Sequence, residues 1–158
     1  GGATRFRGFE IESRYALTPA LNLYAHFAQH DARFVSFTRD NGADAAGNRF
    51  EMSPRQQAGF GLVYAPATGF NGSAIAGYSG SRFLNKSNSV AVGGYTSVDA
   101  TLGYRVGKCD WRLNGYNLGD RRDPVAESDL QEGVSVTGTA GYYRLPGRAL
   151  VLSLSLAL

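Results

Sequence analysis

Tyr95-Thr96-Ser97-Val98-Asp99-Ala100-Thr101-Leu102-Gly103-Tyr104-Arg105-Val106, followed by Gly107-Lys108-Cys109-Asp110 and then Trp111-Arg112-Leu113-Asn114, decides the fold. Val98, Ala100, Leu102 and Tyr104 fall on one parity, and Asp99, Thr101 and Arg105 on the other. A strand turns successive side chains to opposite faces, so the run is a ribbon with one apolar and one polar face. Beyond the short Gly-bearing link, Trp111 and Leu113 alternate with Arg112 and Asn114. Two such runs joined so tightly predict an antiparallel hairpin.

The same alternation recurs outward in both directions. Phe9, Ile11 and Tyr15 oppose Glu10, Glu12 and Arg14 within 5–16. Leu21, Leu23, Ala25 and Phe27 oppose Asn22, Tyr24, His26 and His30 within 20–37. Phe60, Leu62 and Tyr64 oppose Gln57, Gly59 and Gly61 within 54–64, and Phe70, Ala74, Ala76 and Tyr78 oppose Asn71, Ser73, Gly77 and Ser79 within 70–83. The last segment, 142–157, runs into Leu150, Leu152, Leu154 and Leu156 with Ser153 and Ser155 between them. With 95–106 and 111–118 these make seven predicted strands, and helical periodicity is nearly absent.

Link lengths narrow the architecture. They alternate short (17–19), long (38–53), short (65–69), long (84–94), short (107–110) and long (119–141). A transmembrane β-barrel has tight turns at one end and extended loops at the other. A soluble sandwich has no reason to keep every long loop on one side. Tyr15, Tyr64, Phe70, Tyr104 and Trp111 each stand near a short turn, on the apolar parity. That is the pattern of an aromatic girdle at the periplasmic membrane interface. Phe34, Phe37, Tyr78 and Tyr95 are candidates for the opposite girdle.

Composition agrees. The chain has 158 residues, 43% hydrophobic and 18% charged, which is too apolar for a disordered tail. No strictly apolar run exceeds four residues, as at Ala149–Leu152, whereas a spanning helix needs about 20. Cys109 has no partner for a disulfide. The net charge of +3 is small and the arginines are scattered, so no nucleic-acid partner is expected. Seven strands do not close a barrel, because bacterial barrels use even numbers, and the chain begins without Met. A fragment of a larger barrel is therefore expected.

Several motifs then carry a resemblance. Gly94–Asp120 resembles the penultimate hairpin of TonB-dependent outer-membrane receptors. Asn117-Leu118-Gly119-Asp120 resembles their Asn-Leu-x-Asp ending before the last outer loop. Tyr142-Tyr143-Arg144-Leu145-Pro146-Gly147-Arg148 and the alternating strand after it resemble their final strand, and Tyr78-Ser79-Gly80-Ser81-Arg82-Phe83 fits their pattern. The resemblance covers nearly the whole chain. It implies that residues 1–158 are the C-terminal part of the barrel, the last seven of 22 strands, with the plug domain and TonB box absent from this chain. It implies a receptor of the bacterial outer membrane that takes up a scarce, bulky solute, most often a ferric siderophore, less often cobalamin, haem or a glycan. The implied partners are membrane lipid, the TonB complex through the missing N-terminal part, a siderophore-type ligand and the barrel assembly machinery. Such barrels usually end in Phe or Trp as the assembly signal; Leu158 stands there instead.

Phe9, Ile11, Leu21, Leu23, Phe60, Leu62, Val98, Ala100, Leu102, Leu150, Leu152, Leu154 and Leu156 are expected to face lipid. Glu10, Glu12, Arg14, His26, His30, Asp99, Arg105 and Arg112 are expected to line a wet lumen. His26 and His30 are about 13 Å apart along a strand, too far for one metal ion. Asp40, Asp44 and Glu51 match positions 1, 5 and 12 of a calcium loop, but Gly42 and Ala45 stand where the template wants a ligand and a Gly. Glu10 and Glu12, about 7 Å apart, have no pocket-forming context for glycoside chemistry. Gly77-Tyr78-Ser79-Gly80 precedes strand rather than helix and is no nucleophile elbow. No metal, cofactor or catalytic group is expected, and the chain is read as no enzyme. The other readings are a non-energised porin-like channel wall, a soluble β-rich binding module and an outer-membrane enzyme.

Overall fold

A computed structural model describes residues 2–39, 42–127 and 141–157. Tight links fix the topology first. Val106 pairs with Cys109 across a two-residue turn in which Gly107 takes φ +56°, a left-handed value that a Cβ would strain. The turn joins β7 (Tyr95–Val106) to β8 (Cys109–Tyr116). The same up-and-down rule sets β1 (Ala3–Ala16), β2 (Leu21–Ser36), β3 (Gln56–Tyr64) and β4 (Gly69–Ser79) side by side. Strand β11 (Ala149–Leu156) closes the order β1-β2-β3-β4-β7-β8-β11, with every neighbour antiparallel. Two small hairpins stand in the long links: β5 (Arg82–Phe83) with β6 (Ala91–Val92), and β9 (Pro124–Glu127) with β10 (Tyr142–Arg144).

Register joins the separate alternations into one surface. Tyr15, Leu23, Leu62, Ala74, Ala100, Gly115 and Leu150 stand opposite one another in a row across all seven strands. Directly opposed residues share a face, so the apolar parity of each strand lands on the same side of the sheet. One layer of sheet cannot bury that face by itself. Leu102 is 60% exposed and Leu152 68% exposed. The buried apolar residues, Ala32, Phe34, Ala45 and Leu84, lie at the long-link end and not in the middle of the sheet. Among the described residues β1 and β11 do not pair with each other, so the sheet is an open arc of barrel wall.

Of the strand boundaries that depart from the sequence-based expectation, three have a local cause. The expected strand 70–83 ends at Ser79, and Gly80 N–H turns to the carbonyl of Gln56. The expected strand 111–118 ends at Tyr116, because Asn117 takes φ +46°. The expected strand 142–157 divides into β10 and β11, with Pro146, which has no N–H to give a ladder, between them. Asp40 of the calcium-loop template, and Leu158, lie outside the described residues.

Candidate functional site

The functional surface of this chain is the sheet itself, and its two faces differ by chemistry. Phe9, Ile11, Leu21, Leu23, Phe60, Leu62, Val98, Ala100, Leu102, Leu150, Leu152, Leu154 and Leu156 all share one face by register. Tyr15, Tyr64, Phe70, Tyr104 and Trp111 share it too, close to the short turns, and the Phe70 and Tyr104 rings meet at 4.8 Å. Glu10, Glu12, Arg14, His26, His30, Asp99, Arg105 and Arg112 share the other face.

The polar face is organised by local ion pairs and by glycines that make room for larger neighbours. Arg14 Nη2 lies 2.9 Å from Glu12 Oε1, two residues back on the same strand face. Asp110 holds two guanidiniums, Arg105 Nη2 at 2.8 Å and Arg112 Nη2 at 3.0 Å. Arg105 and Arg112 border a small cavity of about 170 Å³ that Asn71, Ser73 and Thr101 also line. The His26 ring lies over Gly59, its directly opposed neighbour, where a Cβ would sit 2.6 Å from Nδ1. His30 Nε2 meets Ser53 Oγ at 3.1 Å. The two histidines thus serve separate contacts. Among the described residues no group of three metal-ligating side chains forms.

The outer girdle differs from expectation. Tyr78 is on the apolar face, opposite Ala58 and Thr96. Tyr95 pairs with Ser79 on the polar side, under the guanidinium of Arg82 at 5.3 Å. Phe34 is buried, and stacks on Phe37 and on Phe50 at 4.9 Å each. For Phe34 the reason is a polarity inversion. From Phe9 toward the short turn the odd residues of β1, and of β2 from Phe27 to Leu21, are apolar except Ser13; beyond Phe9 the same face carries Arg7, Arg5, Asp31 and Arg33. The opposite face there carries Phe6, Ala32 and Phe34, against Phe50 of the long link.

That inverted end is held by its loops. Asn48 Nδ2 donates to Lys86 O at 2.9 Å, Arg49 N donates to Asn88 Oδ1 and Asn88 Nδ2 donates back to Arg49 O, each at 2.8 Å. Links 37–55 and 80–94 are one packed cap. Burial pushes the Arg49 pKa down, and nearby Arg55 adds to that. Buried Arg82 donates Nη2 to Pro124 O at 2.6 Å and so draws the third long link to the second.

Asn117-Leu118-Gly119-Asp120 is a knot at the end of β8. Asn117 N donates to Asp99 Oδ1 at 2.7 Å, and Leu118 N to Val98 O at 2.8 Å, which fastens the turn to β7. Asn117 Nδ2 donates to Arg121 O and to Pro146 O, and Oδ1 accepts from Arg121 N. Asp120 Oδ1 accepts the N–H of Arg148 at 2.8 Å. Sequence inspection marks these four residues by resemblance alone. Their work is to fasten the approach to β11.

The model of the family described as TonB dependent receptor-like, beta-barrel matches residues 1–118. The chain belongs to that family. It is 32% identical over 130 residues to the ferrichrome outer membrane transporter/phage receptor of Escherichia coli (strain K12), across 77% of this chain and 17% of that protein. Its fold is similar to the ferric yersiniabactin uptake receptor FyuA from Yersinia pestis, with a TM-score of 0.80 at 20% identity, covering 98% of this chain and 24% of that one. It is also similar to the siderophore receptor PiuA from Acinetobacter baumannii, with a TM-score of 0.78 at 24% identity, covering 98% and 22%. The chain thus spans about a quarter or less of the length of these TonB-dependent receptor relatives. The all-β antiparallel arc is a segment of a receptor barrel.

Proposed function

We propose that this chain is part of the wall of a bacterial outer-membrane receptor that takes up a ferric siderophore, with uptake energised through the TonB complex. The observation that carries the reading is the apolar row continuous over seven strands, from Tyr15 to Leu150, backed by a polar face. Such a row needs an apolar partner, which acyl chains supply around a barrel, and a charged reverse face needs water, which the lumen supplies. The short turns then stand at the periplasmic side and the packed long links outside. The substrate class follows the relatives: one is named a ferrichrome transporter, another a ferric yersiniabactin uptake receptor.

The segment is the C-terminal one of its barrel, as the order of its motifs up to Tyr142–Arg148 favours. A plug domain and a TonB box stand elsewhere in the receptor. The polar face is wall, not catalyst: Glu12 is engaged by Arg14, and Asp110 by two arginines.

Iron uptake tests the reading. Iron-starved cells carrying the full-length receptor gene take up at least one labelled ferric siderophore, and lose that uptake when TonB is removed. Uptake that persists without TonB supports a porin-like wall instead. A product that washes from membranes with alkaline carbonate is a soluble β-rich module.

A further inference from the structure

A small notch interrupts the polar face near the short turns. It is the cavity of about 170 Å³ bordered by Arg105 of β7 and Arg112 of β8, with Asn71, Ser73 and Thr101 beside them. Gly103 stands directly opposite Asn71 on one side and Arg112 on the other. A Cβ on Gly103 would overlap the Asn71 carboxamide, so this glycine leaves the space that the amide enters.

The notch is rich in donors and poor in acceptors. Asn71 Nδ2 is shielded from solvent and meets no acceptor among the described residues. A shielded donor left without an acceptor destabilises the structure that holds it. Each guanidinium carries five N–H groups. Arg105 gives Nε and Nη2 to Asp110 Oδ2, and Arg112 gives Nε to Oδ1 and Nη2 to Oδ2. The Nη1 edge of both guanidiniums is left over. The Thr101 hydroxyl turns its hydrogen to Asn114, and both neighbours are neutral. Two guanidiniums against the single carboxylate of Asp110 therefore leave one positive charge unbalanced.

We propose that Arg105, Arg112 and Asn71 form a binding site for a carboxylate. A carboxylate is planar, offers two acceptor oxygens and carries one negative charge. One oxygen takes a free guanidinium edge, the other takes the Asn71 amide, and the charge balances the surplus. A phosphate group near neutral pH carries more negative charge than the notch has to offset. Two sources share this chemistry: a small carboxylate solute in the lumen, and an Asp or Glu side chain from the rest of the receptor, of which this chain is about a quarter or less. The inference rests on the reading of the polar face as a wet lumen wall.

The test uses the full-length receptor in lipid nanodiscs and follows phenylglyoxal, which modifies free guanidiniums, at Arg105 by peptide mass spectrometry. Sodium acetate is the probe, and sodium chloride at equal ionic strength is the control. Acetate that slows the reaction about tenfold where chloride does not, with Asn71→Leu weakening the protection, supports a site for a small carboxylate. Slow reaction without acetate, becoming about tenfold faster in Asn71→Leu, supports a site filled by a side chain of the receptor. In either case Asn71→Asp, which supplies its own carboxylate, leaves Arg105 slow and indifferent to acetate. Equal protection by acetate and chloride means a general anion effect and overturns the carboxylate assignment. Fast reaction in the unsubstituted receptor, unchanged by acetate, overturns this inference alone. An Arg105 that reacts only after unfolding, with or without Asn71→Leu, means a dry face and overturns the wet-lumen reading as well.

Discussion

Asn117 Nδ2 donates to the carbonyl oxygen of Pro146 at 2.7 Å, across 29 positions of sequence. The bond ties the end of β8 to the approach of β11 and holds the third long link at its base. Asn117 sits at φ +46°, a conformation that Asn tolerates better than most residues. Asn117→Ala loses two donated bonds and one accepted bond and adds backbone strain. The expected cost is about 1–3 kcal/mol. Asn117→Asp keeps the acceptor toward Arg121 N but loses both donors, and falls between the two. The midpoint temperature at which the full-length barrel loses heat-modifiable mobility on a gel measures both.

Asp120 gives that knot a pH dependence. The N–H of Arg148 bonding to its carboxylate, and then the positive charge of Arg122, hold its pKa below the ordinary 3.8. A carboxyl whose pKa is depressed on folding stabilises the fold fully above its unfolded value, and loses that contribution as pH falls through the folded one. The knot should therefore hold at neutral pH and loosen as pH falls below 3.8. Protease cleavage within 117–127, measured with an acid-active protease, should rise there. Asp120→Asn should flatten the profile, and salt should weaken the effect because the group is exposed.

Gly59 and His26 should be energetically coupled. A Cβ at Gly59 enters the space of the His26 ring. Gly59→Ala is expected to cost about 1 kcal/mol by displacing that ring. With His26→Ala the crowding is gone, and the same substitution should become favourable by about 0.5 kcal/mol, since Gly weakens a strand interior. A double-mutant cycle on barrel unfolding reads the difference, and equal costs in both backgrounds would mean that the ring does not fill that space.

Leu102 and Thr101 separate the two faces within one strand. Leu102→Arg, mid-span on the apolar face, should cost about 2–4 kcal/mol in the complete barrel. Thr101 is on the polar face, where its hydroxyl donates to Asn114 Oδ1 at 3.0 Å. Thr101→Arg should cost far less, chiefly the loss of that bond. Urea unfolding of the two variants in lipid vesicles gives the comparison, and comparable losses would contradict the facing.

The wall was legible because its physics repeats every two residues. Val98, Ala100 and Leu102 fix a parity, and the register of the sheet carries that parity unchanged from Tyr15 to Leu150. The rim was not legible in the same way. Arg5, Phe6 and Arg7 continue the strand but exchange the roles of its faces, and Phe34 and Tyr95 stand on the parity opposite to Phe27 and Val98, so ring chemistry without parity misplaces them in the outer girdle. The alternation Arg5-Phe6-Arg7, with charge on the parity of Phe9, is the available signal. The Asn117 knot was beyond pattern reading, because its partners at Asp99 and Pro146 are set by tertiary packing and not by spacing. Pro146 could have warned that 142–157 does not run as one strand.

Nitroxide labels placed one at a time at Asp99, Ala100, Thr101 and Leu102 of the full-length receptor in bilayers, with collision rates measured against oxygen and against a water-soluble nickel chelate, address the membrane-facing assignment most directly. Labels at Ala100 and Leu102 should collide with oxygen, and those at Asp99 and Thr101 with the chelate. Uniformly low collision with both reagents at Ala100 and Leu102 would place them in a dry protein interior and contradict the account.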